Sequence, residues 1–293
     1  EPWLAAKKLI LLEPRRIAAR SIAVYMARQL KEPVGGTVGY RVRMDTRVGL
    51  RTRIEVVTEG VLTRMLQRDP ALEDVGAVLF DEFHERSVHS DLGLALCLQA
   101  QALLREDLRI LVMSATMDAE AVSRLMDDAP VIHSEGRVYP VETRYMPVSD
   151  NAGIEAATAA GVMTALEEES GHMLVFLPGA GEISRVQRQL EDVLAGTNIR
   201  FFPLHGSLTP EEQDRAVAPP EPNVRKVVLA TSIAETSLTV EGVRIVVDSG
   251  WSRIPRYSPR TGLTRLDTVR VSLAAADQRR GRAGRLAPGI CFR

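Results

Sequence analysis

At 293 residues the chain has room for two domains of ordinary size, and 45% apolar against 26% charged residues marks a well-packed globular protein, excluding a disordered or fibrous one. No apolar run approaches the ~18 residues that span a bilayer, and the start has no signal-peptide pattern. Cys97 and Cys291 are far apart and lack metal-ligand spacing, so a soluble protein in a reduced, cytoplasmic setting is expected.

The predicted elements alternate. Short apolar runs at 9–12, 54–58, 77–80, 110–113 and 131–133 read as buried strands of a first half, and those at 173–177, 200–203, 227–230 and 245–248 repeat the theme in a second. Amphipathic segments lie between them, such as 17–30, where Ala18, Ile22, Met26 and Leu30 recur at helical spacing. Strands interleaved with helices predict an α/β fold with parallel sheets covered on both faces and ligands at the strand C-terminal ends. Periodicity lapses over 134–150, where Gly136, Pro140 and Pro147 break the chain; this stretch is expected to link a first domain, 1–133, to a second, 151–293. Both ends are abrupt, as in a piece of a longer protein, and the last residues read as a strand.

Charge is uneven. Only Lys7, Lys8, Lys31 and Lys226 of the 37 basic residues are lysines, and residues 251–293 hold ten arginines against Asp267 and Asp277 although the whole chain nets −1. That distribution predicts a polyanion-facing surface near the C-terminal end.

Residues 278–285, Gln-Arg-Arg-Gly-Arg-Ala-Gly-Arg, put four arginines and two glycines in eight positions. Guanidinium groups stay charged and bind phosphate oxygens bidentately, so the run suits a transferring phosphoryl group; an exposed basic helix would give the same local pattern. The apolar run at 77–80 ends in Asp81-Glu82-Phe83-His84, two adjacent carboxylates at a strand end. One can hold the hydration shell of Mg²⁺ and the other can take a proton from an attacking water. Thr231-Ser232-Ile233-Ala234-Glu235-Thr236 follows another buried run with hydroxyl and small residues. Together the three segments resemble motifs VI, II and V of a superfamily 2 helicase of the DEAH type.

The resemblance extends over essentially the whole chain. It implies two tandem RecA-like parallel-sheet domains of the P-loop NTPase class, with ATP or another NTP and Mg²⁺ in the inter-domain cleft and single-stranded RNA or DNA as partner. By resemblance, Asp81 and Glu82 serve the metal, Glu82 is the catalytic base, and His84 couples hydrolysis to the second domain. Gln278 would orient water or touch the γ-phosphate, and Arg282 and Arg285 would be arginine fingers. Phe83 departs from the alanine usual in the family. Ser114-Ala115-Thr116 resembles motif III, placing Ser114 and Thr116 near the nucleotide. For nucleic acid, Arg15 and Arg16 resemble motif Ia, at a helix expected to begin just after Pro14 and offer backbone N–H groups. Thr58 and Gly60 resemble motif Ib, Gly179 belongs to motif IV, His205 and Gly206 to a backbone-contacting loop, and Thr231 and Ser232 to motif V. Residues 257–272 resemble the β-hairpin of DEAH helicases, with Arg260 and Arg265 toward nucleic acid.

One expected feature is missing. A phosphate-binding Walker A loop needs Gly-Lys-[Ser/Thr], and none of the four lysines follows glycine or precedes Ser or Thr. The family places that loop upstream of motif Ia, and winged-helix and accessory domains beyond motif VI. The main reading is therefore the motor of an ATP-dependent RNA or DNA helicase; the alternatives are a non-hydrolysing module that grips single strands, and a translocase that moves protein or chromatin.

Overall fold

Aliphatic runs form the middle of two separate sheets in the computed structural model, which describes residues 4, 7–115, 119–134, 139–147, 152–235 and 240–293. The chain divides into two units, Glu1–Ser134 and Glu135–Arg293. The first contains β1 (Lys8–Glu13), α1 (Arg16–Gln29), β2 (Val38–Val42), β3 (Asp45–Arg47), β4 (Ile54–Thr58), α2 (Glu59–Arg68), β5 (Val75–Phe80), α3 (Val88–Leu103), β6 (Arg109–Val112) and α4 (Ala119–Leu125). Its sheet runs β3-β2-β4-β1-β5-β6, parallel throughout except for β3, which pairs antiparallel with β2 at one edge.

Helix α1 starts directly after Pro14 and Arg15, as the sequence predicts, and buries Ala18, Ala19, Ala23 and Ala27. These small side chains bring the helix close to the sheet, where Ala19, Ala23 and Ala27 pack with Leu11, Val38, Tyr40 and Val56. The other sheet face is covered by α2 and α3, through Leu62, Leu66, Leu94 and Cys97 against Ile10, Leu12, Val78 and Phe80. Both faces of the central strands are dry, and near-continuous apolar runs such as β5 are what that requires.

The second unit contains β7 (Val141–Arg144), α5 (Ile154–Glu168), β8 (His172–Phe176), α6 (Ala180–Val193), β9 (Ile199–Leu204), α7 (Pro210–Val217), β10 (Arg225–Ala230), β11 (Val243–Asp248), β12 (Trp251–Ser258), β13 (Leu263–Arg270), α8 (Leu273–Gly281) and β14 (Gly289–Phe292). Its main sheet, β7-β14-β11-β8-β10-β9, is wholly parallel, while β12 and β13 form a separate antiparallel hairpin. Helices α5 and α6 close one face through Val162, Ile183, Val186 and Leu190 against Met173, Val175, Val227 and Val247. Helix α7 opens with a capping box, Thr209 and Glu212 exchanging side-chain and backbone hydrogen bonds around Pro210.

Three expectations need correction. Residues 131–133 form no strand: Val131 and Ile132 are exposed, without a sheet neighbour to bury them. Part of the stretch read as a linker is β7, paired parallel with β14; Pro140 directly before it removes a backbone donor, which an edge strand tolerates at its start. The hairpin begins at Trp251, earlier than the expected 257, because Arg253 and Ile254 already pair with Thr268 and Asp267. Gly136 and residues 148–150 of the expected linker lie outside the described residues.

Candidate functional site

Because β1, β4, β5 and β6 are parallel, their C-terminal ends share one edge, and the segments after them meet there. Asp81 follows β5; its N–H donates to Leu12 O at the end of β1 (3.0 Å), and Phe83 N–H donates to Met113 O just past β6 (3.1 Å). The chain is thus pinned on both sides of Glu82, which sits in the left-handed region at φ 49°. A non-glycine residue in that conformation costs of order 1–3 kcal/mol and persists only where the surroundings impose it. Asp81 Oδ1 accepts from Glu82 N–H at 2.8 Å, and His84 Nδ1 lies 3.5 Å from Glu82 Oε2. Asp81, Glu82 and His84 are all half-buried.

Phe83, where the family usually has alanine, is 3% exposed. Its ring meets Phe80 edge-on at 6.2 Å, and Arg86 Cζ lies 5.6 Å from its centroid. The ring therefore anchors the acidic turn to the core. Two further contacts join the neighbouring segments: Arg15 pairs with Glu85 at 3.3 Å, and Ser87 Oγ donates to Glu59 Oε1 at 2.7 Å while capping α3. Burial raises the Glu59 carboxyl above its usual value, with the Ser87 bond opposing. Arg16, Gly60 and Ser114 are exposed and Thr58 is half-buried on this edge. Space around Gly60 is open: a Cβ there would meet nothing within 4 Å. Thr116 lies outside the described residues.

In the second unit the arginine run separates into different environments. Arg279 is 0% exposed. Its guanidinium pairs with Asp248 at the end of β11 (2.7 Å) and Glu235 (2.6 Å), donates to Trp251 O (3.1 Å), and lies 4.9 Å over the Phe176 ring. Arg282 is also buried and donates to Glu235 O. Gln278 is half-buried, and Arg285 is exposed. Arg279 thus holds together the turn after β10, the end of β11, the hairpin base and α8, and sequence reading assigned it no role. The signal was present as the second arginine of the run; its acidic partners lie 31 and 44 residues away in sequence.

Thr231 and Ser232 are half-buried just past β10, and residues 236–239 of that segment lie outside the described residues. Gly179 is buried, and a Cβ there would overlap the Arg253 guanidinium. His205 Nδ1 is 2.9 Å from Ser207 Oγ; burial lowers the His205 pKa from its usual value, against the opposing effect of Glu212. Gly206 is exposed. On the hairpin, Arg260 and Arg265 are exposed, with Arg265 3.1 Å from Asp267 and Arg256 3.7 Å from the same carboxylate. A second cationic surface escaped sequence reading: Arg43, Arg47 and Arg51 are exposed around the β2–β3 edge. Its signal was arginine density, five between 41 and 53 against Asp45 alone.

The DEAD/DEAH box helicase family matches residues 4–125, and the helicase conserved C-terminal domain matches residues 157–287. The chain is 55% identical over 97% of its length to the ATP-dependent RNA helicase HrpB of Escherichia coli strain K12, covering 35% of that protein. It is 40% identical over 96% of its length to HrpA of the same organism, covering 22% of it. The crystal structure of the Escherichia coli DEAH/RHA helicase HrpB superposes with a TM-score of 0.91 at 54% identity, over 98% of this chain and 36% of that one. The chain thus spans about a third or less of the length of these relatives. With both domains matched in order and the acidic turn and arginine run in place, the chain belongs to the DEAD/DEAH-box helicases, of which it carries the two RecA-like domains.

Proposed function

We propose that these two units are the motor of an ATP-dependent helicase of the DEAH type, acting on single-stranded nucleic acid, with RNA favoured because the relatives HrpB and HrpA are RNA helicases. The observation that carries the reading is the acidic turn, with Glu82 held in a strained backbone conformation between two strand-end hydrogen bonds. Strain retained at one glutamate beside a second carboxylate fits a placed base.

The residues present fit a magnesium nucleotide. Among the described residues no group of three His, Cys, Asp or Glu side chains could hold an ion by itself, and Mg²⁺ on a nucleotide needs only one or two carboxylates beside water and phosphate oxygens. When bound, the magnesium nucleotide supplies the phosphoanhydride and neutralises charge on its phosphates. Asp81 would hold the ion, and Glu82 would take the proton of the attacking water. His84 would orient the Glu82 carboxylate, the motif III resemblance gives Ser114 and Thr116 a role toward the nucleotide, and Gln278 would position the water. Arg285 and Arg282 direct guanidinium charge at the developing phosphate charge. Arg15, Arg16, Thr58, Gly60, Gly179, His205, Gly206, Thr231, Ser232, Arg260 and Arg265 serve the strand, supplying N–H, hydroxyl and guanidinium donors for phosphate and sugar. A cytoplasmic setting goes with this reading: Cys97 and Cys291 are buried free thiols, their pKa values pushed up to about 12 by burial. Among the described residues no helix is long and apolar enough to cross a membrane.

The 293 residues contain no Gly-Lys-[Ser/Thr], so by themselves they should release phosphate from ATP slowly or not at all, and robust RNA-stimulated turnover by them alone would contradict this. In a polypeptide that carries such a loop ahead of them, RNA should stimulate turnover. There Glu82→Gln should abolish turnover and leave ATP binding intact, since the amide keeps the shape and loses the basicity. Retention of more than about a tenth of kcat, a barrier change under ~1.4 kcal/mol, would remove Glu82 from the role. Tight strand binding without turnover in that polypeptide would instead favour a non-hydrolysing binding module.

A further inference from the structure

A two-stranded hairpin is at best marginally stable alone, so β12–β13 depends on its anchors for direction. From Ile254 through Leu266 both strands are exposed apart from the half-buried Ser258. Two anchors lie at the base. Trp251 O accepts from Arg279, and the Trp251 ring stacks under Arg270, whose Cζ lies 4.2 Å from the centroid. The second anchor leaves the hairpin altogether. Arg253 reaches across to its partner strand, Nε lying 3.4 Å from Thr268 Oγ1, and its Nη2 donates to Glu182 Oε1 at 2.8 Å.

Glu182 sits in the first turn of α6, 8% exposed, and α6 is fixed to the core by Ile183, Val186 and Leu190. The same Oε1 accepts from Arg185 at 3.1 Å, and Arg185 continues to Glu155 of α5 at 2.7 Å. Gly179 makes the arrangement possible. A Cβ at that position would overlap Arg253 Nη1 and come within 2.9 Å of both Arg253 Cζ and Glu182 Oε2. The glycine is a slot for the guanidinium.

We infer that Arg253 is a positioning residue: seated over Gly179 and held by Glu182, it sets the hairpin against the sheet edge that carries Thr231 and Ser232, so that hairpin and loops offer one surface to a single strand. The strand-binding part of this inference rests on the function proposed above; the anchoring part does not. Arg253 itself acts through the hairpin and not by contact with the strand.

The test uses the 293-residue chain, a fluorescein-labelled 20-mer of poly(U) and amide hydrogen exchange. Arg253→Ala and Glu182→Gln should each speed exchange in 251–258 and 263–270 at least fivefold, while β8 and β10 exchange at the wild-type rate. Glu182→Gln decides between positioning and simple charge. It removes a negative charge beside a cation, so electrostatics alone would tighten RNA binding; loss of the anchor should weaken it about fivefold or more. Gly179→Ala should speed hairpin exchange as Arg253→Ala does, and the double variant should exchange no faster than the faster single one. Arg253→Lys, which keeps the charge but replaces the planar fork by one ammonium nitrogen, should show only part of both effects. Unchanged hairpin exchange in Arg253→Ala and Glu182→Gln, or tighter RNA binding by Glu182→Gln, would overturn the inference. If the wild-type chain binds no RNA, the proposed function falls while the exchange arm still judges the anchor.

Discussion

Arg279 and Arg285 stand six residues apart in one arginine-rich run and meet opposite surroundings. The first is sealed between Asp248 and Glu235, and the second is exposed. Burying a guanidinium is costly unless carboxylates and hydrogen bonds compensate, and removing one partner from such a cluster costs about 3–5 kcal/mol. Arg279 is therefore part of the frame, and Arg285 lies at the surface. Arg282 lies between these cases, buried with its guanidinium on Glu235 O. In a chain able to anchor ATP, Arg285→Ala should lower kcat by at least about a hundredfold, with KM for ATP changed less than about threefold and the melting temperature kept. Arg282→Ala should also lower kcat, together with a loss of about 1–3 kcal/mol of stability from the stranded carbonyl and the emptied site. Should both variants raise KM alone, the run is a ground-state phosphate clamp. The sequence marks four arginines that phosphate chemistry cannot tell apart; the burial that distinguishes them comes from Glu235 and Asp248, brought in by the sheet.

Element by element, the sequence was most legible where one physical rule dominates. Apolar runs located the central strands β1, β4, β5, β8, β10 and β11, because strands buried on both faces have no other pattern available. It was least legible at β2, β3 and β7. Strands β3 and β7 are edge strands with polar residues and gain their place from a neighbouring strand, and the short β2 has its apolar pattern interrupted by Gly39 and Arg41. Two loop staples were equally hidden: Arg105 donates to the carbonyls of Ala71, Leu72, Glu73 and Val75 in the first unit, and Arg225 to those of Leu166, Glu169 and Gly171 in the second. The glycines of the arginine run also divide. A Cβ on Gly284 would come within 2.6 Å of Tyr139 O and 2.7 Å of Val141 Cγ2, whereas one on Gly281 would meet nothing within 4 Å. Gly284→Ala should destabilise the second unit by about 1–3 kcal/mol, and Gly281→Ala should be neutral or stabilise by up to ~1 kcal/mol. Equal melting temperatures for the two variants would show that β7 does not press on this turn.

Lys226 adds a pH signature at the same scale. It is 2% exposed, donates to Arg215 O and Ala218 O at the end of α7, and lies 4.9 Å over Phe202. Burial lowers its pKa to about 8 from 10.5. Below pH 8 the folded and unfolded chains both hold the proton, and the desolvation cost is fully present. Between about 8 and 10.5 the unfolded chain binds the proton more tightly, so stability rises with pH, by at most about 3 kcal/mol. Lys226→Met lacks this rise. The melting temperature of the wild type minus that of Lys226→Met should therefore grow from pH 8 to pH 10; a flat or falling difference would mean that the amine is better hydrated than its surroundings indicate.

Across the whole molecule, a net charge of −1 coexists with arginine concentrated in a few places, so binding to a polyanion is set by local surfaces. The donors at both carboxyl edges are backbone N–H, hydroxyl and guanidinium groups, which suit phosphate and sugar; with aromatics at 4% of the chain, few rings can stack bases. Single strands should therefore bind with little sequence preference, and affinity should fall steeply with salt, at a log–log slope of roughly −0.7 per phosphate neutralised. The hairpin arginines should not contribute equally. Arg265 shares Asp267 with Arg256, and part of its field is already answered, whereas Arg260 is exposed at the Ser258–Leu263 turn. Arg260→Ala should weaken binding to every sequence alike and make the slope shallower by about one phosphate, with a smaller change for Arg265→Ala. Fluorescence anisotropy of poly(U) and poly(A) strands across a salt titration measures both quantities. Normal slopes in both variants would take the hairpin off the strand path, and affinities that differ mainly by base would put recognition in stacking contacts instead of the arginines.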